Sequence, residues 1–420
     1  MRDIVVIGLI IVCIVATLRK PAWGGLAWVF VSVSSFHQQG YATLGLPVAS
    51  AIGGCMILSI LAHSKEFRLD WYPPLKWFAA LTIWMTITYL ASPSLEENFE
   101  MWDKVMKINL FMFLVAGVIL TRKDVDNMIW IIVLALAVTG AKGGLFTLAT
   151  GGAYRVWGPG GFIGGNNEFA VALVMTIPLM HYLRTVTTHP RVRQGLLAAM
   201  VLCAIAAIGS HSRGALLAIC AMGLILIAKS KQRGGLILAA VVLIPLVLAV
   251  MPEEWFARMD TIKNYEEDRS AMGRLNAWTM AFNLALHRPF GSSFENVKVE
   301  YFAEYGLDTE YIQGPHSIYF QMLGQHGFIG LWLFLAVGVS TWRSANRIIA
   351  ACDKRLESDA QDIMFAQMIK ASLLGFAVGG AFLALAYFDV PYYLMLATGK
   401  LAQLKVEERL LKQATPLARR

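Results

Sequence analysis

The sequence predicts an all-α polytopic membrane protein of about twelve transmembrane helices, with one long, partly helical loop set between two of them. Three observations predict it. Hydrophobic residues make up 57% of the 420-residue chain and charged residues only 15%, against about 25% for a soluble globule. Mean hydropathy is +0.57, so the apolar surface needs lipid to face. Lysines and arginines fall in alternate short loops, the mark of a chain threaded back and forth across a bilayer.

Taken in order, the candidate spans are 3–18, 22–36, 43–63, 75–91, 104–120, 125–149, 167–183, 195–209, 214–228, 235–251, 317–342 and 364–388, with a shorter apolar run at 390–404 as a thirteenth. The first run lacks a small-residue cleavage site and is followed by Arg19-Lys20, so it reads as a retained span rather than a signal peptide. Runs 3–18 and 22–36 are close enough for a tight hairpin. Several runs are shorter than the roughly 20 residues of a full crossing. Residues 1–420 therefore read as a single membrane domain, with a large insertion at 252–315 and a tail at 400–420.

The net charge of +8 reflects topology, not nucleic-acid binding. Cations cluster at Arg19-Lys20, at Lys65, Arg68 and Lys76, at Arg122-Lys123, at Arg184, Arg191 and Arg193, at Lys229, Lys231 and Arg233, and at Arg343, Arg347, Lys354 and Arg355. The intervening loops differ: His37 to Ala42 has no charge, and Ser92 to Asp103 carries Glu96, Glu97, Glu100 and Asp103 with no cation. The positive-inside rule makes the first set cytoplasmic. Counting spans then puts the stretch from Pro252 to Pro315 outside, with the turns at 151–165 and 210–213. The tail, with Lys405, Arg409, Lys412, Arg419 and Arg420, falls inside. None of the five cysteines lies in the external stretch, so no disulfide framework is expected there. Their spacing makes no metal site, and the external stretch holds no Asp-x-Asp and no His/Cys cluster.

The residues able to do chemistry sit at the external ends of spans. Arg213 lies in the short turn Gly209-Ser210-His211-Ser212-Arg213-Gly214, on the side where the charge rule calls for no cation. Arg274 falls in Gly273-Arg274-Leu275-Asn276-Ala277-Trp278, after the charged run Tyr265-Glu266-Glu267-Asp268-Arg269. The spacing of Leu275, Trp278 and Phe282 predicts an amphipathic helix on the membrane surface. His316 follows Gly314-Pro315 at the mouth of a span, with Tyr319 as its helix-face neighbour; an imidazole there is mostly neutral at neutral pH and can accept a proton. His326, ten residues on, reads as a packing histidine. A glycine-rich external turn carries Arg155 and leads to Asn166, Asn167 and Glu168 at the head of a span. Lys142 is an intramembrane lysine near the outer end of its span, a functional candidate or a snorkelling side chain. Two or three guanidiniums, with Arg269 as the third, and one imidazole at the mouth of a membrane protein point to chemistry on an anionic, lipid-borne substrate.

These residues carry a resemblance. The Ser212-Arg213-Gly214 turn, Gly273-Arg274 before a tryptophan helix, the long external loop, and His316-Ser317 followed by Gly327-Phe328-Ile329-Gly330 resemble the O-antigen ligase family, which also includes O-antigen polymerases and protein O-oligosaccharyltransferases. The opening Met1-Arg2-Asp3-Ile4 and the block from Ala141 to Glu168 look most like a subgroup described as O-glycosylation ligases. The resemblance implies a metal-independent, inverting glycosyltransferase of the bacterial inner membrane, active on the periplasmic face and needing no cofactor. Its donor would be an undecaprenyl-diphosphate-linked glycan and its acceptor a hydroxyl of lipid A–core, a glycan repeat or a protein. By the same resemblance Arg213 and Arg274 would contact the diphosphate and His316 would be the catalytic base. Arg155, Lys142, Asn167, Arg269 and Tyr319 are further candidates for donor or acceptor contact. Where the family has an acidic residue after the histidine, this chain has Gln325. A transporter is the reading from another class; transporters show internal repeats and mid-membrane ionisable groups, whereas here Arg213, Arg274 and His316 sit at outer span ends.

Overall fold

The computed structural model describes residues 2–229, 234, 241, 245, 251–253, 255–256, 269–295, 297–353 and 355–414. The expected span 235–251, apart from residues 241, 245 and 251, lies outside the described residues, as do the charged run Tyr265–Asp268 and residues 415–420 of the expected tail. Among the described residues all regular structure is helical.

The helices are α1 (Arg2–Arg19), α2 (Pro21–Ser34), α3 (Val48–Ala62), α4 (Pro73–Leu90), α5 (Leu95–Val118), α6 (Arg122–Ala149), α7 (Asn166–Val186), α8 (Pro190–Gly209), α9 (Arg213–Lys229), α10 (Arg269–His287), α11 (Val299–Tyr305), α12 (Ile318–Ala351), α13 (Glu357–Gly379) and α14 (Val390–Ala414). Local chemistry sets their starts. Proline opens α2, α4 and α8, where its missing N–H costs nothing. Thr121 and Asp124 form a capping box at the head of α6. Glu96, Glu97, Glu100 and Asp103, expected in a loop, instead occupy the first turns of α5, where the helix dipole favours them.

Five helices among the described residues are long and apolar enough to cross a membrane: α6, α7, α8, α12 and α13. That is fewer than the twelve or so expected. Apolar helices α2 and α3 run only 14 and 15 residues, and the acidic start of α5 lowers its hydropathy. α7 is the most enclosed of the five. It packs against α6, α8, α9 and α13. α6 and α8 come close because Gly144 lies against the Leu202 backbone, the small-residue contact that lets membrane helices approach. α14 is buried along its first half and closes the core beside α12 and α4.

One break matters for the site. Gly327 takes φ 67 and ψ −172, splitting α12 into Ile318–His326 and Phe328–Ala351. A Cβ at Gly327 would meet the Pro289 carbonyl at 2.0 Å, so the chain leaving α10 passes directly over the kink. Only glycine fits both the backbone angle and the approach. The run expected as one span at 317–342 is thus two helices.

The loops gather at two ends. At one end the turn after α1 and α2's head, Arg68, Arg122, Asp362 and Lys405 collect; the Arg68 N–H bonds the Gly117 carbonyl and Arg122 pairs with Asp362. At the other end the Ala42 N–H bonds Asp3, the Val156 N–H bonds Gly209, Trp255 Nε1–H reaches the Ile208 carbonyl, and the Glu295 N–H bonds Asn98. The uncharged and acidic turns and the described parts of the long stretch therefore share one end, and the described basic turns share the other. α1 and α2 do form a tight hairpin, joined through Lys20 alone.

Candidate active site

The site end is built by four segments: the 210–213 turn, the head of α7, α10, and the 313–317 segment before α12. Ser210, His211 and Ser212 are all buried. His211 takes a left-handed φ of 60, and its Nε2 lies 2.9 Å from the Gly152 carbonyl, tying the turn to the glycine-rich loop. Ser212 caps α9, its hydroxyl accepting the Ala215 N–H at 3.2 Å. That cap sets Arg213 as the first residue of α9, half-buried beside the Gly380–Phe382 turn against which Gly214 packs. Asn166 opens α7 and donates to the Ser210 carbonyl at 2.7 Å, so the heads of α7 and α9 are locked together.

α10 brings the second arginine. Its packed face is Gly273, Asn276, Ala277, Met280, Ala281 and Leu284, while Leu275, Phe282 and Leu286 point outward. The expected helix is present; Leu275 and Phe282 of its expected apolar stripe point outward, whereas Trp278 turns inward onto Phe320 and Phe382. Asn276 is a buried clamp: it donates to the Asp308 and Tyr311 carbonyls and accepts the Leu307 N–H at 2.6 Å. Gly273 lies against the Gln313 side chain, and Gln313 donates to the Ser270 carbonyl at 3.3 Å. Trp278 Nε1–H donates to the Pro315 carbonyl at 2.6 Å. Half-buried Arg274, between these contacts, interacts electrostatically with both His316 and Glu168 of α7.

His316 has φ 39, a left-handed conformation that costs a non-glycine residue about 1–3 kcal/mol and persists only where the surroundings impose it. Burial first, and then the charge of Arg274, hold its pKa below the usual imidazole value. The neutral ring able to accept a proton is therefore the prevailing form at neutral pH. Phe382, in the turn beside α9, has its ring 6.4 Å from the Trp278 ring, so the Arg213 and His316 sides of the site meet across one aromatic contact.

Three candidates from the sequence thus converge: Arg274 and His316 directly, and Arg213 through the Gly380–Phe382 turn. Arg269 starts α10 and lies 5.6 Å over the Tyr311 ring, exposed to solvent. Tyr319 donates to the Ala377 carbonyl at 2.8 Å and lines an apolar groove of about 320 Å³ with Phe334, Trp342 and Phe376. Asn167 is half-buried in the first turn of α7, but Asn166 makes the structural bond. Arg155 is exposed on the glycine-rich loop. Lys142 is exposed on α6, whose packed face is Gly140, Gly143, Gly144 and Thr147.

Sequence reasoning had no role for Trp278 at this site and read Asn166 and Glu168 only as polar residues heading a span. A usable signal existed: Gly273, Ala277 and Ala281 recur every fourth residue and mark the packed face of α10. His326 is the packing histidine expected. It is fully buried, with Thr88 Oγ1 at 2.7 Å from Nδ1 and the Tyr387 hydroxyl at 2.7 Å from Nε2. Tyr387 in turn donates to Gln325, which anchors to the Phe294 carbonyl, so Gln325 serves this network.

The group of metal-ligating type found among the described residues, Cys352, Asp359 and Asp362, is at the far end of the bundle. There the Lys405 ammonium lies 2.7 Å from each carboxylate and supplies the positive charge itself.

Residues 198–335 match the family model described as O-antigen ligase. This segment is of the O-antigen ligase family. It covers about a third of the chain and contains Arg213, Arg274 and His316 together. Residues 1–188 match a second model, described as a family of unknown function, and hold Lys142, Arg155 and Asn167. No curated protein matches the chain. The O-antigen ligase match and the long apolar helices together support a membrane protein with glycosyltransferase-like function.

Proposed function

We propose that the protein transfers a glycan from an undecaprenyl-diphosphate carrier to a hydroxyl of lipid A–core, at the periplasmic face of the bacterial inner membrane. The observation that carries this reading is the pairing of Arg274 with a half-buried, neutral-favouring His316 inside the O-antigen ligase segment. His316 takes the proton of the acceptor hydroxyl as its oxygen attacks the anomeric carbon. The carbon–oxygen bond to the diphosphate breaks on the opposite face, so the anomeric centre inverts. The electron pair leaves on the diphosphate, and Arg213 and Arg274 stabilise its growing charge in a partly desolvated setting, where such contacts are strongest. The apolar groove that begins at Ile318 and Tyr319, next to His316, suits the polyprenyl tail. The charge bias of the loops supports the orientation, because the site shares an end with the uncharged and acidic turns.

Transfer by the purified protein from an undecaprenyl-diphosphate glycan tests the reading, with lipid A–core, a second lipid-linked repeat and a protein offered side by side. Product on lipid A–core that survives EDTA is expected. Product only on a repeat or a protein makes the enzyme a polymerase or an oligosaccharyltransferase. A strict need for a divalent ion overturns the metal-independent mechanism.

A further inference from the structure

We propose that Trp278 is the positioning residue for His316: its indole N–H holds the Pro315 carbonyl and thereby sets the backbone that aims the imidazole. The inference rests on the reading of His316 as the base. The imidazole makes no hydrogen bond to any described residue, so no described side chain orients it in the way that a carboxylate orients the histidine of a triad. Its direction must come from its own backbone. That backbone is in the left-handed region, φ 39, and does not hold itself there.

The restraint acts one residue upstream. Trp278 Nε1–H meets the Pro315 carbonyl at 2.6 Å, which fixes the peptide that leads into His316. The indole is itself fixed. It stacks on Phe320 with ring centroids 5.0 Å apart and planes 7° apart, and it touches Phe382 at 6.4 Å. Phe320 belongs to the first turn of α12, so one ring bridges the residues on both sides of His316. Gln313 adds a weaker tie to the same helix through the Ser270 carbonyl. Trp278 is four residues past Arg274, one helical turn. The helix that carries the diphosphate contact therefore also carries the strut for the base, and a shift of α10 moves both together.

The test is Trp278→Phe in the full-length purified protein, assayed for transfer from the polyprenyl-diphosphate glycan as a function of pH. Phenylalanine keeps a ring to stack on Phe320 and removes only the donor. We expect kcat to fall about 10–100-fold, the scale of a small misplacement of a reacting group, with the donor KM changed less than about threefold. We also expect the acidic limb of the profile to move up towards about 6.5, as the released imidazole gains water and draws away from Arg274. A packing role alone leaves that limb in place. Wild-type kcat and an unmoved limb overturn the proposal, as does a rise in KM at constant kcat. Should Trp278→Phe not accumulate as folded protein, Gln313→Ala carries the test, with a smaller loss and the same upward shift; an unmoved limb there overturns it. His316→Ala runs alongside, and full transfer by that variant removes the base reading itself, a result distinct from either outcome for Trp278.

Discussion

The two ends of the bundle both place cations under apolar cover, and they use them differently. At the basic end Lys405, Lys400 and Arg122 are matched to carboxylates. Lys405 lies 2.7 Å from Asp359 and Asp362 and 3.1 Å from Glu408. Lys400, only 2% exposed, lies 2.7 Å from Asp70, and Arg122 pairs with Asp126 and Asp362. These pairs staple α14 to α13 and to the approach to α4, and α6 to α13. At the site end, Arg274 lies near His316 and Glu168, and Asn166, Ser212, Asn276 and Trp278 bond mainly backbone, with Asn276 also reaching the Asp308 carboxylate. The difference teaches how to tell structure from chemistry in a membrane protein. A buried cation whose charge is cancelled at contact distance holds helices together. A cation set beside a titratable, strained histidine on an orienting scaffold is, in the function proposed above, the one that meets a ligand's charge.

The largest expected effect that would break this contrast is at the base. His316→Ala is expected to lower transfer about 10²–10⁴-fold while the protein stays folded in detergent; near-normal turnover would remove His316 from the chemistry. Next comes the staple. Lys405→Met strands two carboxylates that are each under a tenth exposed, and a loss of about 3–5 kcal/mol in unfolding free energy is expected. The surviving folded fraction should transfer glycan at the normal rate, and a selective loss of turnover would mean the ends are not separate. Arg213→Lys and Arg274→Lys keep the charge and lose the fork. Each should slow transfer roughly tenfold, about one charge-assisted hydrogen bond, and full activity in both would argue against bidentate diphosphate contact.

The pH profile sharpens the comparison further. The pKa of His316 is lowered, so the neutral base persists as pH falls through the ordinary imidazole value. Transfer should therefore hold down past about pH 6.5 and decline only below it. A limb at or above that value would mean the imidazole is not held half-buried beside Arg274 during turnover. The smallest effect is at Lys142: exposed on α6, its replacement by alanine should change stability by less than about 0.5 kcal/mol and leave transfer intact. A large loss of transfer would return it to the site.

Much of this was legible from residues alone. Apolar runs announce membrane helices because burying a helix in lipid demands little more than length and hydropathy, and cation placement sorts loops into two sets because charge resists translocation. Arg213, Arg274 and His316 stood out because each puts a polar group where the topology asks for none. Element type survived well and boundaries less so. The acidic head of α5 has the polar composition of a loop, although the helix dipole welcomes it there. Lys405, expected in a tail, is in the same helix as the last apolar run, because ion pairs with Asp359 and Asp362 allow a lysine to be buried.

What the sequence determined by itself was local and one-dimensional: helical class, the two kinds of loop, and which side chains could bear the chemistry. Only the tertiary structure decided who meets whom. Glu168 and Arg274 are 106 positions apart in the chain, and no periodicity links them. The kink at Gly327 depends on where the chain leaving α10 crosses α12. The strut from Trp278 to the peptide before His316 exists because one face of α10 is small enough to let the 313–317 segment lie against it. Hydropathy acts residue by residue and can be read from the chain, whereas a hydrogen bond or an aromatic stack is a relation between distant positions and needs the packed bundle to exist.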